Sequence, residues 1–195
     1  MSHDRIVLVM RKDFGPKPSV YPEPVLIVAT YNEDGTPNAM NAAWGGIHED
    51  NEISICLDPS HKTVENILNR KAFTVSSATK EMVVGCDYVG IVSGNDVHDK
   101  FERAGFHAEK SDKVDAPLIK ELPFCLECRL ISYTEKNCEC IGEIVNLSID
   151  ESILTNGKVD LEKFHPLVFD GMNRDYHLMG EYVGKAYGEG MKLKK

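Results

Sequence analysis

The sequence predicts a mainly β protein: an antiparallel barrel of Greek-key or meander type with short peripheral helices. Three observations predict it. Short β-rich apolar runs recur along the chain. The early runs are joined by hairpin-turn chemistry rather than by helices. No Gly-x-Gly-x-x-Gly opens a helix after a strand. A parallel doubly wound sheet needs repeated β–α–β units, so the pattern argues against one.

Taken in order, residues 1–20 read as an extended arm, with Pro16 and Pro18 denying it regular structure. Val25 to Tyr31 (VLIVATY) is a buried strand, and Glu33-Asp34-Gly35-Thr36 supplies a hairpin turn. Asn38 to Trp44 returns as a second strand, and Ile53 to Leu57 forms a third with Ile53, Ile55 and Leu57 on one face. A helix follows, with Ser60 or Thr63 as its cap and Val64, Ile67 and Leu68 as its apolar stripe. Ala72 to Ala78 is a further strand. Lys80 to Ile91 and Asp99 to Ala104 read as helices, the second capped by Asp99, with a Ser93-Gly94-Asn95 loop between them. Phe124 to Thr134 and Cys138 to Ile149 make a long hairpin around Glu135-Lys136-Asn137. Short segments at Leu167 to Phe169 and Tyr182 to Tyr187 complete the pattern, and no linker divides residues 1–195 into two domains.

Composition narrows the function classes. With 22 Lys and Arg against 31 Asp and Glu, the formal charge of −9 disfavours nucleic acid as a partner. No run of about 18 apolar residues is present, so no membrane span is expected. The polar start Met1-Ser2-His3-Asp4-Arg5 lacks an export signature, and a cytoplasmic location follows as the expectation. That compartment favours reduced thiols for Cys56, Cys86, Cys125, Cys128, Cys138 and Cys140. Strand alternation puts Cys125 and Cys128 on opposite faces, so they should not share a metal. Cys138 and Cys140 fall on one face, about 7 Å apart by strand rise. No metal site is expected.

Three segments could carry chemistry. Asn38-Ala39-Met40-Asn41-Ala42-Ala43-Trp44-Gly45-Gly46 combines two amides, the only tryptophan and paired glycines. It suits a heteroaromatic ring edge, or equally a strand ending in a bulge. Pro59-Ser60-His61-Lys62-Thr63-Val64-Glu65-Asn66 joins a strand to a helix start, where unbonded amides and the dipole favour an anion. Plain capping explains it as well. Ser93-Gly94-Asn95-Asp96-Val97-His98-Asp99-Lys100 offers Ser93 and a lysine that reaches a phosphate, a ring edge or only solvent. No HExxH, GxSxG or carboxylate pair is present, so hydrolytic chemistry has no foothold and a borrowed cofactor is the better expectation.

An ordered series of short motifs is more specific than any of these alone. It runs through Tyr21-Pro22-Glu23-Pro24-Val25, Asn41-Ala42-Ala43-Trp44-Gly45-Gly46, His61-Lys62-Thr63, Asp87-Tyr88-Val89-Gly90, Ser93-Gly94, Asp99-Lys100-Phe101, Ala116-Pro117-Leu118-Ile119, Gly142-Glu143-Ile144-Val145 and Gly184-Lys185-Ala186-Tyr187. In this series the chain resembles the flavin reductase-like family, especially its flavoredoxin-type branch, from about Pro18 to Leu193. The resemblance implies an FMN-binding split β-barrel, a homodimer, and redox work with either NAD(P)H or a redox partner protein. A non-catalytic FMN-binding module is the alternative. It also implies that Asn38, Met40, Asn41, Ala42 and Trp44 line the flavin. His61, Lys62, Thr63 and Asn66 would hold the phosphate end. Ser93 and Lys100 would reach the cofactor, and Phe169 or Tyr176 would complete the pocket. Relatives often carry a histidine where this sequence has Cys138 and Cys140.

Overall fold

A computed structural model describes residues 10–194. Residues 1–9, half of the proposed arm, lie outside the described residues, and residues 10–20 form no helix or strand. Seven strands build one antiparallel sheet: β1 (Leu26–Tyr31), β2 (Pro37–Ala42), β3 (Gly45–Glu49), β4 (Glu52–Cys56), β5 (Ala72–Ser77), β6 (Phe124–Thr134) and β7 (Glu139–Ile149). Their spatial order is β2-β1-β5-β6-β7-β4-β3. The two edge strands, β2 and β3, are consecutive in the chain. Only Ala43 and Trp44 separate them. Three peptide steps span at most about 11 Å, so the sheet must curl until its edges meet. The fold is therefore a split barrel, as expected. Register shifts at Ile141/Gly142 and Ile144/Asn146 in β7 are bulges that assist the curl.

The continuous apolar run of β1 has a simple cause: both faces of the strand are covered. Leu26 and Val28 point into the barrel with Met40, Ile53, Ile55, Phe73, Val75, Cys128 and Cys140. Ile27 and Ala29 face outward into a second core with Cys86, Val89, Phe101 and Phe106. Helix α1 (Lys62–Arg70) contributes Val64 and Ile67 to the barrel core. Helices α2 (Val83–Ile91) and α3 (Lys100–Arg103) supply the outer core.

Several details differ from expectation. The second strand ends at Ala42, because the chain crosses to the opposite edge there and restarts as β3. His61 is the N-cap of α1 and gives no side-chain cap. Asp58 instead accepts from the Ser60 amide and hydroxyl, while Thr63 lies inside the helix. Asp99 occupies the N-cap of α3, but its carboxylate takes the Arg103 guanidinium rather than a backbone amide. Leu68 leans into solvent at 37% exposure. Residues Lys80–Met82 form a separate 3-10 turn before α2. Cys138 is not in the strand: it closes the turn in the left-handed region, so alternation does not align it with Cys140. The C-terminal hairpin pairs Leu167–Asp170 with Asp175–Leu178, and the expected segment Tyr182 to Tyr187 forms no strand. The hairpin wins because Phe169 and Tyr176 face each other and pack on the outer core.

Candidate functional site

A cleft of about 270 Å³ opens where three segments meet: Met40 and Asn41 of β2, the start of α1, and the loop after α2. His61, Lys62 and Thr63 form one end of it, and Ser93, Gly94 and Lys100 close the side. A second bay of about 270 Å³ continues from it. The two share Asn41, Gly90 and Ile91, and the second adds Asp87, Phe169 and Tyr176. The result is one elongated groove with a cationic helix start at one end and a tyrosine–phenylalanine pair at the other.

At the helix end, the Lys62 and Thr63 amides have no acceptor among the described residues, while Val64 and Glu65 already bond the His61 carbonyl. Thr63 is buried, and its Oγ1 accepts from Asn38 Nδ2 at 2.9 Å. The hydroxyl proton remains to be donated. Lys62 Nζ lies 2.7 Å from Glu65 Oε1. Gly94 is required here by close approach. A Cβ on it would lie 2.5 Å from Asn38 Oδ1 and 3.2 Å from Lys62 Cβ.

Lys100 is 3% exposed, although lysines are rarely buried unpaired. Its ammonium donates to the Val89 carbonyl at 3.2 Å and the Val92 carbonyl at 2.9 Å. These carbonyls lie at the C-terminal end of α2, the negative end of the helix dipole. Burial pulls the ammonium down to about 8. Two donors go to backbone, which leaves a third for the cleft.

At the far end, Asn41 Nδ2 donates to the Cys86 carbonyl at 3.0 Å. Tyr176 donates to Asp87 Oδ1 at 2.8 Å. Burial, reinforced by Asp87, pushes the phenol up to about 12, so it remains a neutral donor at physiological pH. The Phe169 and Tyr176 rings are 5.9 Å apart and tilted.

Residues 19–177 match the flavin reductase like domain. The chain belongs to the flavin reductase-like family. Flavoredoxin of Desulfovibrio vulgaris (Miyazaki F) is similar to it at 37% identity and a TM-score of 0.88, covering 93% of this chain and 100% of that one. Flavoredoxin from Methanosarcina acetivorans gives 28% identity and a TM-score of 0.84, covering 95% of this chain and 100% of that one. A structure described as an FMN-binding domain of a flavin reductases-like enzyme from Shewanella baltica OS155 shares the fold. It has 21% identity and a TM-score of 0.74, covering 84% of this chain and 89% of that one.

Of the positions that the family resemblance assigned to the cofactor, the groove collects Met40, Asn41, His61, Lys62, Thr63, Ser93, Lys100, Phe169 and Tyr176. The other four lie apart. Asn38 is buried behind Thr63, as its support. Asn66 faces the other way: its Nδ2 donates to Thr30 Oγ1 and Asn32 Oδ1, pinning α1 to the turn after β1. Ala42 packs inside the barrel. Trp44 is 56% exposed and lines a neighbouring slot. Sequence reasoning gave no site role to Asp87, Gly90 and Gly94, although their motifs, Asp87-Tyr88-Val89-Gly90 and Ser93-Gly94, stand in the family series.

Cys128 and Cys140 enter the barrel core, and Cys125 lies on the opposite face of β6. Burial raises Cys86 and Cys140 to about 12 and Cys125 to about 11. No helix of the described residues is long and apolar enough to cross a membrane.

Proposed function

We propose that the chain holds one FMN along the groove and works as a cytoplasmic, homodimeric oxidoreductase. The observation that carries this reading is the polarity of the groove. It runs from a cationic helix start, through amides and glycines, to a half-buried aromatic pair. FMN has the same sequence of parts: a dianionic phosphate, a polar ribityl chain and a flat ring. The donor set fits the phosphate, since Lys62, the Thr63 hydroxyl and the unbonded amides of Lys62 and Thr63 belong to residues that line this end of the cleft. Along its middle the groove runs between Asn41 and the glycines Gly90 and Gly94, whose missing Cβ atoms let that wall lie close against Asn41 and Asn38. When bound, FMN supplies electron and hydride transfer at its ring.

The residues of the chain then do three things. Lys62 and Thr63 fix the anionic end. Lys100 holds a positive charge at the groove wall, which favours a ring that has gained electrons. Tyr176, locked by Asp87, presents a neutral edge and shields the ring end from water. Val84 and Ile91 are 80% and 73% exposed on α2, beside the groove. An apolar patch at that place suits a second copy closing over the site.

The electron donor is either NAD(P)H or a redox partner protein, and the non-catalytic FMN module is the competing reading. Anaerobic titration of the yellow protein with NADH, NADPH and a reduced iron–sulfur protein separates them. Bleaching by a nicotinamide identifies a reductase, and bleaching by the iron–sulfur donor alone identifies an electron carrier. A flavin reduced by none of the three would refute a redox role. A colourless protein that binds no FMN would refute the cofactor assignment itself.

A further inference from the structure

We infer that Cys56 and Cys138 form a reversible thiol–disulfide exchange site whose reaction partner is a small organic disulfide. The two residues are distant in sequence and meet where the end of β4 runs beside the turn between β6 and β7. Cys56 is the last residue of β4 and faces Glu139 in the register. The Leu57 amide donates to the Cys138 carbonyl at 2.7 Å, so Cys138 stands beside Leu57, one step along from Glu139. A cross-strand spacing of about 4.5–5.5 Å and a rise of about 3.4 Å per residue put the two Cα atoms about 5.5–6.5 Å apart. That lies within the span a disulfide bridges.

The backbone of the turn brings the side chains together. In a continuous strand Cys138 would present its side chain to the face opposite Cys56. Its left-handed backbone, with φ 58°, breaks that alternation. The two thiols come within hydrogen-bonding reach of each other, and Cys138 Sγ also lies 3.9 Å from the Glu135 carbonyl oxygen. Access follows from the same geometry. Cys56 is exposed and Cys138 half-buried, while Cys86, Cys125, Cys128 and Cys140 are buried. Two sulfurs do not make a metal site, and among the described residues no third ligand joins them. Neither cysteine lines the flavin groove, so the inference stands without the FMN reading.

The chemistry is a two-step exchange. One cysteine thiolate attacks the small disulfide, forms a mixed S–S bond and expels one small thiolate. The second cysteine thiolate attacks the protein sulfur of that bond, forms the Cys56–Cys138 bond and expels the second small thiolate. The two cysteine protons end on the two expelled thiols. The cysteines lose two electrons and the small disulfide gains them. The bridge is open to solvent, and exposed bridges are the ones that small thiols reduce again.

The full chain, with and without FMN, is incubated with bis(2-hydroxyethyl) disulfide. This probe is neutral, so the neighbouring carboxylates of Asp58, Glu135 and Glu139 do not repel it. Remaining thiols are alkylated and the linked peptides are identified by mass spectrometry. The expected product is one bridge within the chain between Cys56 and Cys138, with the loss of two hydrogens. An adjacent thiol acts at millimolar or higher effective concentration. With about 0.1 mM free 2-mercaptoethanol, the bridge should therefore outnumber the mixed disulfide by at least about tenfold. Raising 2-mercaptoethanol to about 10 mM should reopen it. Cys56→Ser and Cys138→Ser should each stop at the mixed disulfide on the cysteine that remains, which two independent exposed thiols would do in the parent chain as well. Should a variant fold poorly, the ratio of bridge to mixed disulfide in the parent decides alone. Mixed disulfides that persist at both positions of the parent, a bridge that joins two chains, or no oxidation by excess probe overturns the inference. So does a bridge that the higher thiol concentration fails to reopen, since it would then be a structural link.

Discussion

Replacing Thr63 by valine separates the two ends of the groove. Valine keeps the shape of the side chain and removes its hydroxyl. In the folded protein that hydroxyl has two tasks. Its oxygen accepts from Asn38 Nδ2 at 2.9 Å, and its proton is assigned to the FMN phosphate. Losing the first leaves a buried amide without an acceptor and should cost about 1–3 kcal/mol of stability. Losing the second removes a charge-assisted contact of about 1.5–3 kcal/mol, or roughly tenfold to 150-fold in FMN affinity. Riboflavin has no phosphate, so its affinity should change by less than about threefold. Thr63→Ser retains both tasks and should bind FMN nearly as the parent does. Fluorescence titration with both flavins measures the ratio, and thermal unfolding measures the stability loss separately. Equal losses for FMN and riboflavin would refute the phosphate assignment at the start of α1.

Lys100 makes FMN binding depend on pH. Burial holds its ammonium at about 8 in the folded protein, and a nearby dianion should raise that value. FMN binding should then take up a proton just above pH 8 and weaken with rising pH, by at most about tenfold per unit. Affinity that is flat from pH 7 to 9.5, or a slope that persists in Lys100→Met, would show that Lys100 does not sense the cofactor. Without flavin the sign is opposite for folding. The unfolded chain keeps this proton up to about 10.5, so the Lys100 contribution favours folding increasingly between pH 8 and 10.5. Gly142→Ala should lower stability by about 1–3 kcal/mol, because its Cβ would overlap the Phe73 ring and approach Cys128 Cβ to 3.3 Å. That corresponds to a fall of about 2–12 °C in Tm, and Phe73→Leu added to it should recover part of the loss in a melting experiment. Native thiol labelling should reach exposed Cys56 and half-buried Cys138 first, leaving Cys86, Cys125, Cys128 and Cys140 until the chain unfolds. Rapid native labelling of Cys140 would contradict its place in the barrel core.

The sequence by itself determined most of the longer strands and two of the six pairings in the main sheet, the hairpins that join neighbouring strands. VLIVATY reads as a buried strand, and the alternation in Phe124 to Thr134 already separated Cys125 from Cys128. The hairpin around Glu135–Asn137 and the strand-to-helix junction at His61-Lys62-Thr63 were equally legible, because local propensity and side-chain periodicity decide such features. The tertiary structure decided which members of a motif share a cavity. Met40, Asn41, Ala42 and Trp44 stand within five residues. Yet Met40 and Asn41 reach the groove, Ala42 enters the barrel, and Trp44 lines another slot, because the chain crosses from one sheet edge to the other between Ala42 and Gly45. Lys100 reads in the sequence as a solvated lysine or a phosphate ligand. Only the packing of α3 against α2 buries it under two backbone carbonyls and lowers its proton affinity. Asn38 and Asn66 carry the same amide as Asn41, but helix α1 covers one and turns the other away. An amide declares its hydrogen-bonding capacity in the sequence, and the partners that use up that capacity are brought to it only by residues distant along the chain.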